Sequence, residues 1–86
     1  MSPAILELQV EPDFLLRIHY ANGERRVLDM RPWLSTGVFR RIAEPCVFAT
    51  ARISFDTVEW MNGVDIDPDF VYVRSVPDPR VSTSAV

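Results

Sequence analysis

The stretch Phe14-Leu15-Leu16-Arg17-Ile18-His19-Tyr20-Ala21-Asn22-Gly23-Glu24-Arg25-Arg26-Val27-Leu28-Asp29 decides the fold. Phe14, Leu16, Ile18 and Tyr20 fall on one side of an extended chain, and Leu15, Arg17 and His19 fall on the other. This alternation with a period of two is that of a β-strand. Its apolar content suits the centre of a sheet better than an edge. Ala21-Asn22-Gly23-Glu24 then reverses the chain, because Asn and Gly tolerate the positive φ that tight hairpin turns need. Arg25 to Asp29 therefore returns as an antiparallel partner.

Upstream, Leu6, Leu8 and Val10 alternate with Glu7, Gln9 and Glu11, an additional strand with one wet face that Pro12-Asp13 ends. Three strands in succession make a meander. Downstream, Pro32 is followed by Ser35 or Thr36 as a helix cap and by Leu34, Val38, Phe39 and Ile42 at helical spacing. Pro45 is expected to stop this helix, whose outer side carries Arg40, Arg41 and Glu44. Phe48 to Phe55 alternates again, with Ala51, Ile53 and Phe55 opposite Thr50, Arg52 and Ser54, and leads through Asp56-Thr57 into Val58-Glu59-Trp60. That is a second hairpin. Asn62-Gly63 supplies another turn, and Asp67-Pro68 supplies a cap and first helical residue for a short helix through Phe70 to Arg74. No internal repeat is evident. The expected architecture is a two-layer α+β domain in which meander and hairpin form one antiparallel sheet with short helices on one face. The domain would span residues 1–76, and 77–86, opened by Pro77-Asp78-Pro79, would be a disordered tail.

With 86 residues there is room for one core. Twelve acids against nine bases, every base an arginine, give a net charge of −3. The chain as a whole therefore offers no attraction to phosphate backbones or anionic lipid. A single cysteine, Cys46, forms no intrachain disulfide and is expected as a small buried hydrophobe. Met1-Ser2-Pro3-Ala4 lacks the basic and apolar regions of a signal peptide, and no apolar run is long enough to span a bilayer. A reducing cytoplasm is the expected location.

Pieces of this sequence resemble a family of small bacterial proteins known as domain of unknown function family 2442. They are, in order, Asn22-Gly23-Glu24, Val27-Leu28-Asp29, Gly37-Val38-Phe39, and Glu44-Pro45 with Phe48. Phe55-Asp56-Thr57-Val58-Glu59-Trp60, Asn62-Gly63-Val64-Asp65-Ile66 and Asp67-Pro68-Asp69-Phe70-Val71-Tyr72 follow. The resemblance covers about residues 4 to 75, with mild departures at Asp69 and Phe70-Val71. It implies an antiparallel sheet covered by helices and no assigned activity. It also implies that some relatives resemble the first half of proteins continuing into a helix-turn-helix. Others resemble partners of an adjacent small protein in a suspected toxin–antitoxin pair.

Asp65-x-Asp67-x-Asp69 has the alternating acids that open a calcium loop, but Phe70 stands at the loop's glycine and Val76 at its final Glu. Capping by Asp67 accounts for these acids better. His19 has no neighbouring Cys or His in sequence to complete a zinc set, and no spacing pairs it with Cys46 as a nucleophile. No catalytic residue, cofactor or metal is expected. Arg25-Arg26, Arg31 and Arg40-Arg41, with Trp33 as a stacking group, would suit single-stranded nucleic acid if they converged, against the opposition of twelve acids.

Of the aromatic residues, Trp33 lies in a loop-like insert where exposure would mark a contact surface. Trp33, Arg31, Arg40 and Arg41 are thus the expected partner-binding residues. The end Ser84-Ala85-Val86 could serve as a recognised tail. The expected function is a non-catalytic regulatory or protein-interaction module, an antitoxin-like partner of a small neighbouring protein. The alternative is a nucleic-acid-binding regulator acting through an arginine-rich face. Exposed strand edges in so small a sheet also invite a homodimer.

Overall fold

The computed structural model describes residues 2–79. Strands β1 (Ile5–Glu11), β2 (Leu15–Tyr20) and β3 (Arg25–Asp29) form the expected antiparallel meander. In it β2 is central, with Leu16 opposite both Val10 and Leu28. Leu16, Ile18, Tyr20 and Leu28 are buried on its inner face. Leu6 departs from the alternation. The register shifts between Ile5 and Glu7, so Ile5 turns inward and Leu6 is left exposed.

The Asn22-Gly23 turn is built by three hydrogen bonds. Tyr20 N–H donates to the Glu24 carbonyl at 2.9 Å and Gly23 N–H to the Tyr20 carbonyl at 3.0 Å. Asn22 Oδ1 accepts from Glu24 N–H at 3.0 Å. Gly23 sits at φ 93, a left-handed conformation that glycine adopts without steric cost.

The insert is not the single helix expected. It consists of a 3-10 turn at Arg31–Trp33, a 3-10 segment at Gly37–Ile42 and a four-residue helix α1 (Pro45–Phe48). Thr36 is extended and Gly37 left-handed, at φ 51, so no helix passes through them. The Thr36 hydroxyl donates to the Trp33 carbonyl at 2.8 Å, closing the first turn instead of capping the second. Three residues per turn still align Phe39 with Ile42, which explains why the apolar spacing read as helical. Pro45 opens a helix at its first position instead of ending one.

Strands β4 (Arg52–Ser54) and β5 (Thr57–Glu59) pair around Phe55-Asp56 as a separate two-stranded sheet. The expectation of one continuous sheet is therefore corrected. The outer edge of β5 is taken by the returning chain: Ile66 N–H donates to the Val58 carbonyl at 3.1 Å, and Glu59 bridges to Asp65. Asp67 caps α2 (Pro68–Arg74) by accepting from Asp69 N–H at 2.9 Å, as the sequence predicts. Asp69 Oδ1 accepts in turn from Ser2 N–H at 3.1 Å.

A strand the sequence did not show, β6 (Val76–Pro77), then pairs with β3, giving the order β1-β2-β3-β6. Asp78 continues the contact, its N–H donating to the Arg25 carbonyl at 2.9 Å and its Oδ2 accepting from Arg17 Nη1 at 2.7 Å. The domain boundary expected after residue 76 thus falls inside β6. The remainder of the expected tail, Arg80 to Val86, lies outside the described residues.

The result is an α+β domain with one core. The inner face of the meander meets Ile42, Phe48, Val58, Trp60, Val64, Ile66 and Val71 in a single buried cluster. No helix among the described residues is long and apolar enough to cross a membrane.

Tyr20 is 1% exposed, and its hydroxyl finds no hydrogen-bond partner among the described residues. Burial pushes its pKa up from 10.0 to about 12. Below pH 10 the tyrosine is neutral in both folded and unfolded chains. Between pH 10 and 12 only the unfolded chain ionises it, so stability falls as pH rises, by about 2–3 kcal/mol at most. Tyr20→Phe is expected to leave stability at pH 7 equal or slightly higher, since it removes an unsatisfied hydroxyl. It should also flatten the alkaline loss. Denaturant melts of both proteins at pH 7, 10 and 11.5 check this, and parallel alkaline losses would contradict it.

Candidate functional site

The insert and α2 meet through aromatic rings. Trp33 packs edge-on against Phe70, with centroids 5.1 Å apart, and Phe39 lies 6.1 Å from Phe70. The Arg74 guanidinium sits 5.4 Å from the Trp33 ring centre and 5.8 Å from that of Phe70. Trp33 is therefore half-buried and packed against α2. The geometry of the 3-10 segment explains the neighbours. With Phe39 and Ile42 turned inward, the two remaining lines of side chains face outward, and Val38, Arg40 and Arg41 are exposed.

The structure does not bring the five arginines together. Arg31 is bound to Asp29 by its own N–H at 3.0 Å and by its guanidinium at 2.7 Å. These bonds hold the Asp29 carboxyl below its usual range and push Arg31 up. Arg25 lines a groove on the outer face of the meander. Arg26 belongs to a network on the inner side: its Nε donates to Ser75 Oγ at 2.7 Å and its Nη2 to the Ser75 carbonyl at 2.6 Å. Its Nη1 reaches Glu24 at 3.2 Å, and its guanidinium covers the Tyr72 ring at 4.8 Å. Glu24 also accepts from the Tyr72 hydroxyl and from Asn22 Nδ2. The Tyr72 bond, then the Asn22 bond, hold the Glu24 carboxyl below its usual range, while the same contact raises the Tyr72 phenol. This network fastens the end of α2 to the β2–β3 turn.

The outer groove, of about 410 Å³, is polar and mixed in charge, with Glu7, Arg17, His19, Arg25 and Asp78 on its walls. His19 Nδ1 lies 3.1 Å from Glu7 Oε1. A second groove of about 430 Å³ runs between the β1–β2 turn and α1, lined by Val10, Phe14, Pro45, Phe48 and Ala49 with Glu11 and Asp13. Cys46 is exposed, correcting its expected burial, with its thiol 3.9 Å from Glu44 Oε1. Among the described residues no three His, Cys, Asp or Glu side chains gather as a metal-holding group.

The residue sequence reasoning missed is Phe55. Read as the inward end of a strand, it stands at the tip of the β4–β5 turn and is 95% exposed. The polar residues around it, Ser54, Asp56 and Thr57, are the signal that a turn lay there.

Trp33→Ala removes an edge-on ring contact and the surface beneath Arg74. It is expected to cost about 1–2 kcal/mol, less than a fully buried tryptophan would. For a domain of this size the melting temperature should fall by roughly 5–10 °C. A thermal melt followed by circular dichroism decides it, and an unchanged midpoint would return Trp33 to the surface.

Comparison with known proteins gives a single result. No curated protein and no solved structure matches the chain significantly. One family does match, described as "Protein of unknown function (DUF2442)", over residues 5–77. That span takes in every strand and helix from β1 to β6, so the chain belongs to the DUF2442 family of proteins of unknown function.

Proposed function

We propose that this chain is a non-catalytic interaction module with a regulatory role, an antitoxin-like partner of a small protein. The observation that carries this reading is the placement of its apolar surface. Phe55 is 95%, Met61 72% and Val73 71% exposed, although thirteen other apolar side chains among the described residues are buried in one core. A domain this small has every energetic reason to bury a phenyl ring, and aromatic residues are the commonest anchors of protein interfaces. Regulation through a protein partner also suits a chain in which Arg17, Arg26, Arg31 and Arg52 are engaged in its own ion pairs.

Affinity purification of the tagged full chain from its own host, with bound protein and nucleic acid both identified, tests the reading. One stoichiometric small protein, retained through gel filtration, is the expected result. Recovery of nucleic acid alone, released as salt is raised, would overturn it in favour of Arg40 and Arg41 acting on phosphates. Recovery of nothing would overturn it as well.

A further inference from the structure

Two of the described residues hold an aromatic side chain on left-handed backbone, and they differ in what surrounds them. Phe14, at φ 64, packs its ring edge-on against Phe48 with centroids 5.0 Å apart. Burial there offsets the backbone cost. Phe55, at φ 49, is followed by Asp56 at φ 69, and its ring is 95% exposed. A two-residue turn with both central residues left-handed favours Asn-Gly or Asp-Gly. Phe55 thus carries a backbone cost and a ring that is 95% exposed among the described residues, so burial there does not offset the cost.

The charges around this hairpin are equally one-sided. Residues 52–67 hold Asp56, Glu59, Asp65 and Asp67 against Arg52 alone, which accounts for the whole net charge of −3, since acids and arginines balance elsewhere in the chain. Arg52 lies across the hairpin from Glu59, 3.6 Å away. Asp56 and Asp65 are exposed. Ile53 and Met61, also exposed, extend the apolar character of the segment to either side of the turn.

We propose that the tip of the β4–β5 hairpin, Phe55 with Asp56, is the anchor of a protein interface, seated in an apolar pocket rimmed by lysine or arginine on the partner. The proposal rests on the reading of the chain as an interaction module and names the surface and partner chemistry. Phe55 supplies the buried centre of the contact. Asp56 and the acids behind it steer a basic surface towards the tip and exclude acidic ones. A second copy of this chain is a poor occupant, because its own apolar groove is bordered by Glu11 and Asp13.

The test uses the tagged full chain in its host, as wild type, Phe55→Asn, Asp56→Arg and Arg40→Glu/Arg41→Glu. Asn suits left-handed backbone, so Phe55→Asn should keep or raise the melting temperature. The same variant should lower the co-purified partner at least about tenfold, as loss of an interface anchor does. Asp56→Arg should lower it too, Arg40→Glu/Arg41→Glu should not, and mass spectrometry should show a partner with an excess of lysine and arginine. A photo-crosslinker introduced as Phe55→p-benzoylphenylalanine should then join the two proteins, while the same group at Val73 should not. A partner retained by Phe55→Asn, or crosslinked from Val73 only, overturns the hairpin proposal and leaves the interaction reading intact. An acidic partner overturns the stated chemistry. Absence of any partner for the wild type overturns both.

Discussion

A fully buried indole must pass its N–H to an acceptor, and the way Trp60 does so organises the rest of the molecule. Its Nε1 donates to the Phe48 carbonyl at 3.0 Å. The Phe48 ring lies 5.8 Å from Trp60 on one side and 5.0 Å from Phe14 on the other. A single line of aromatic residues therefore runs from the small hairpin sheet, through the end of α1, to the start of β2. This line holds α1 in place even though four residues are too few to be stable as a helix alone.

The same construction closes both ends of the core. In Trp60 to Val64 the turn seen at Tyr20 to Glu24 is repeated: Trp60 N–H donates to the Val64 carbonyl at 2.8 Å and Gly63 N–H to the Trp60 carbonyl at 2.9 Å. Asn62 Oδ1 accepts from Val64 N–H at 3.3 Å, and Gly63 is left-handed at φ 90. Each turn begins on a buried aromatic residue and lends a side chain to tertiary structure. Glu24 receives Tyr72 and Arg26. Asn62 donates through Nδ2 to the Arg41 carbonyl at 3.0 Å, securing the 3-10 segment.

Where one local signal determines the structure, the sequence was readable. The alternation around Leu16, Ile18 and Tyr20, the turn at Asn22-Gly23 and the cap at Asp67-Pro68 all stand as expected, because each depends on a few adjacent residues. The insert misled because Phe39 and Ile42 satisfy a helix of three residues per turn as well as one of 3.6. The second hairpin was recognised, but its standing as a separate sheet follows from tertiary packing, and the chain on the outer edge of β5, Ile66, lies eight residues from its partner Val58. Strand β6 was hidden by Pro77 within it and Pro79 just beyond, since proline commonly marks a break but is tolerated on the outermost strand of a sheet. The candidate site was less legible than the fold. Trp33 was singled out by its loop setting and stands half-buried against α2, whereas Phe55 fitted an alternating pattern that ended one residue before it.

The order of strands in the large sheet also has a temporal meaning. The meander is complete at Asp29, yet the residues that cover its apolar face, Trp60, Val64, Ile66 and Val71, and the strand that closes its far side come much later in the chain. At a synthesis rate of about 5–20 residues per second, the ribosome needs roughly 2–10 s to deliver them. For that interval Leu16, Ile18, Tyr20 and Leu28 lack most of the side chains that bury them in the finished domain.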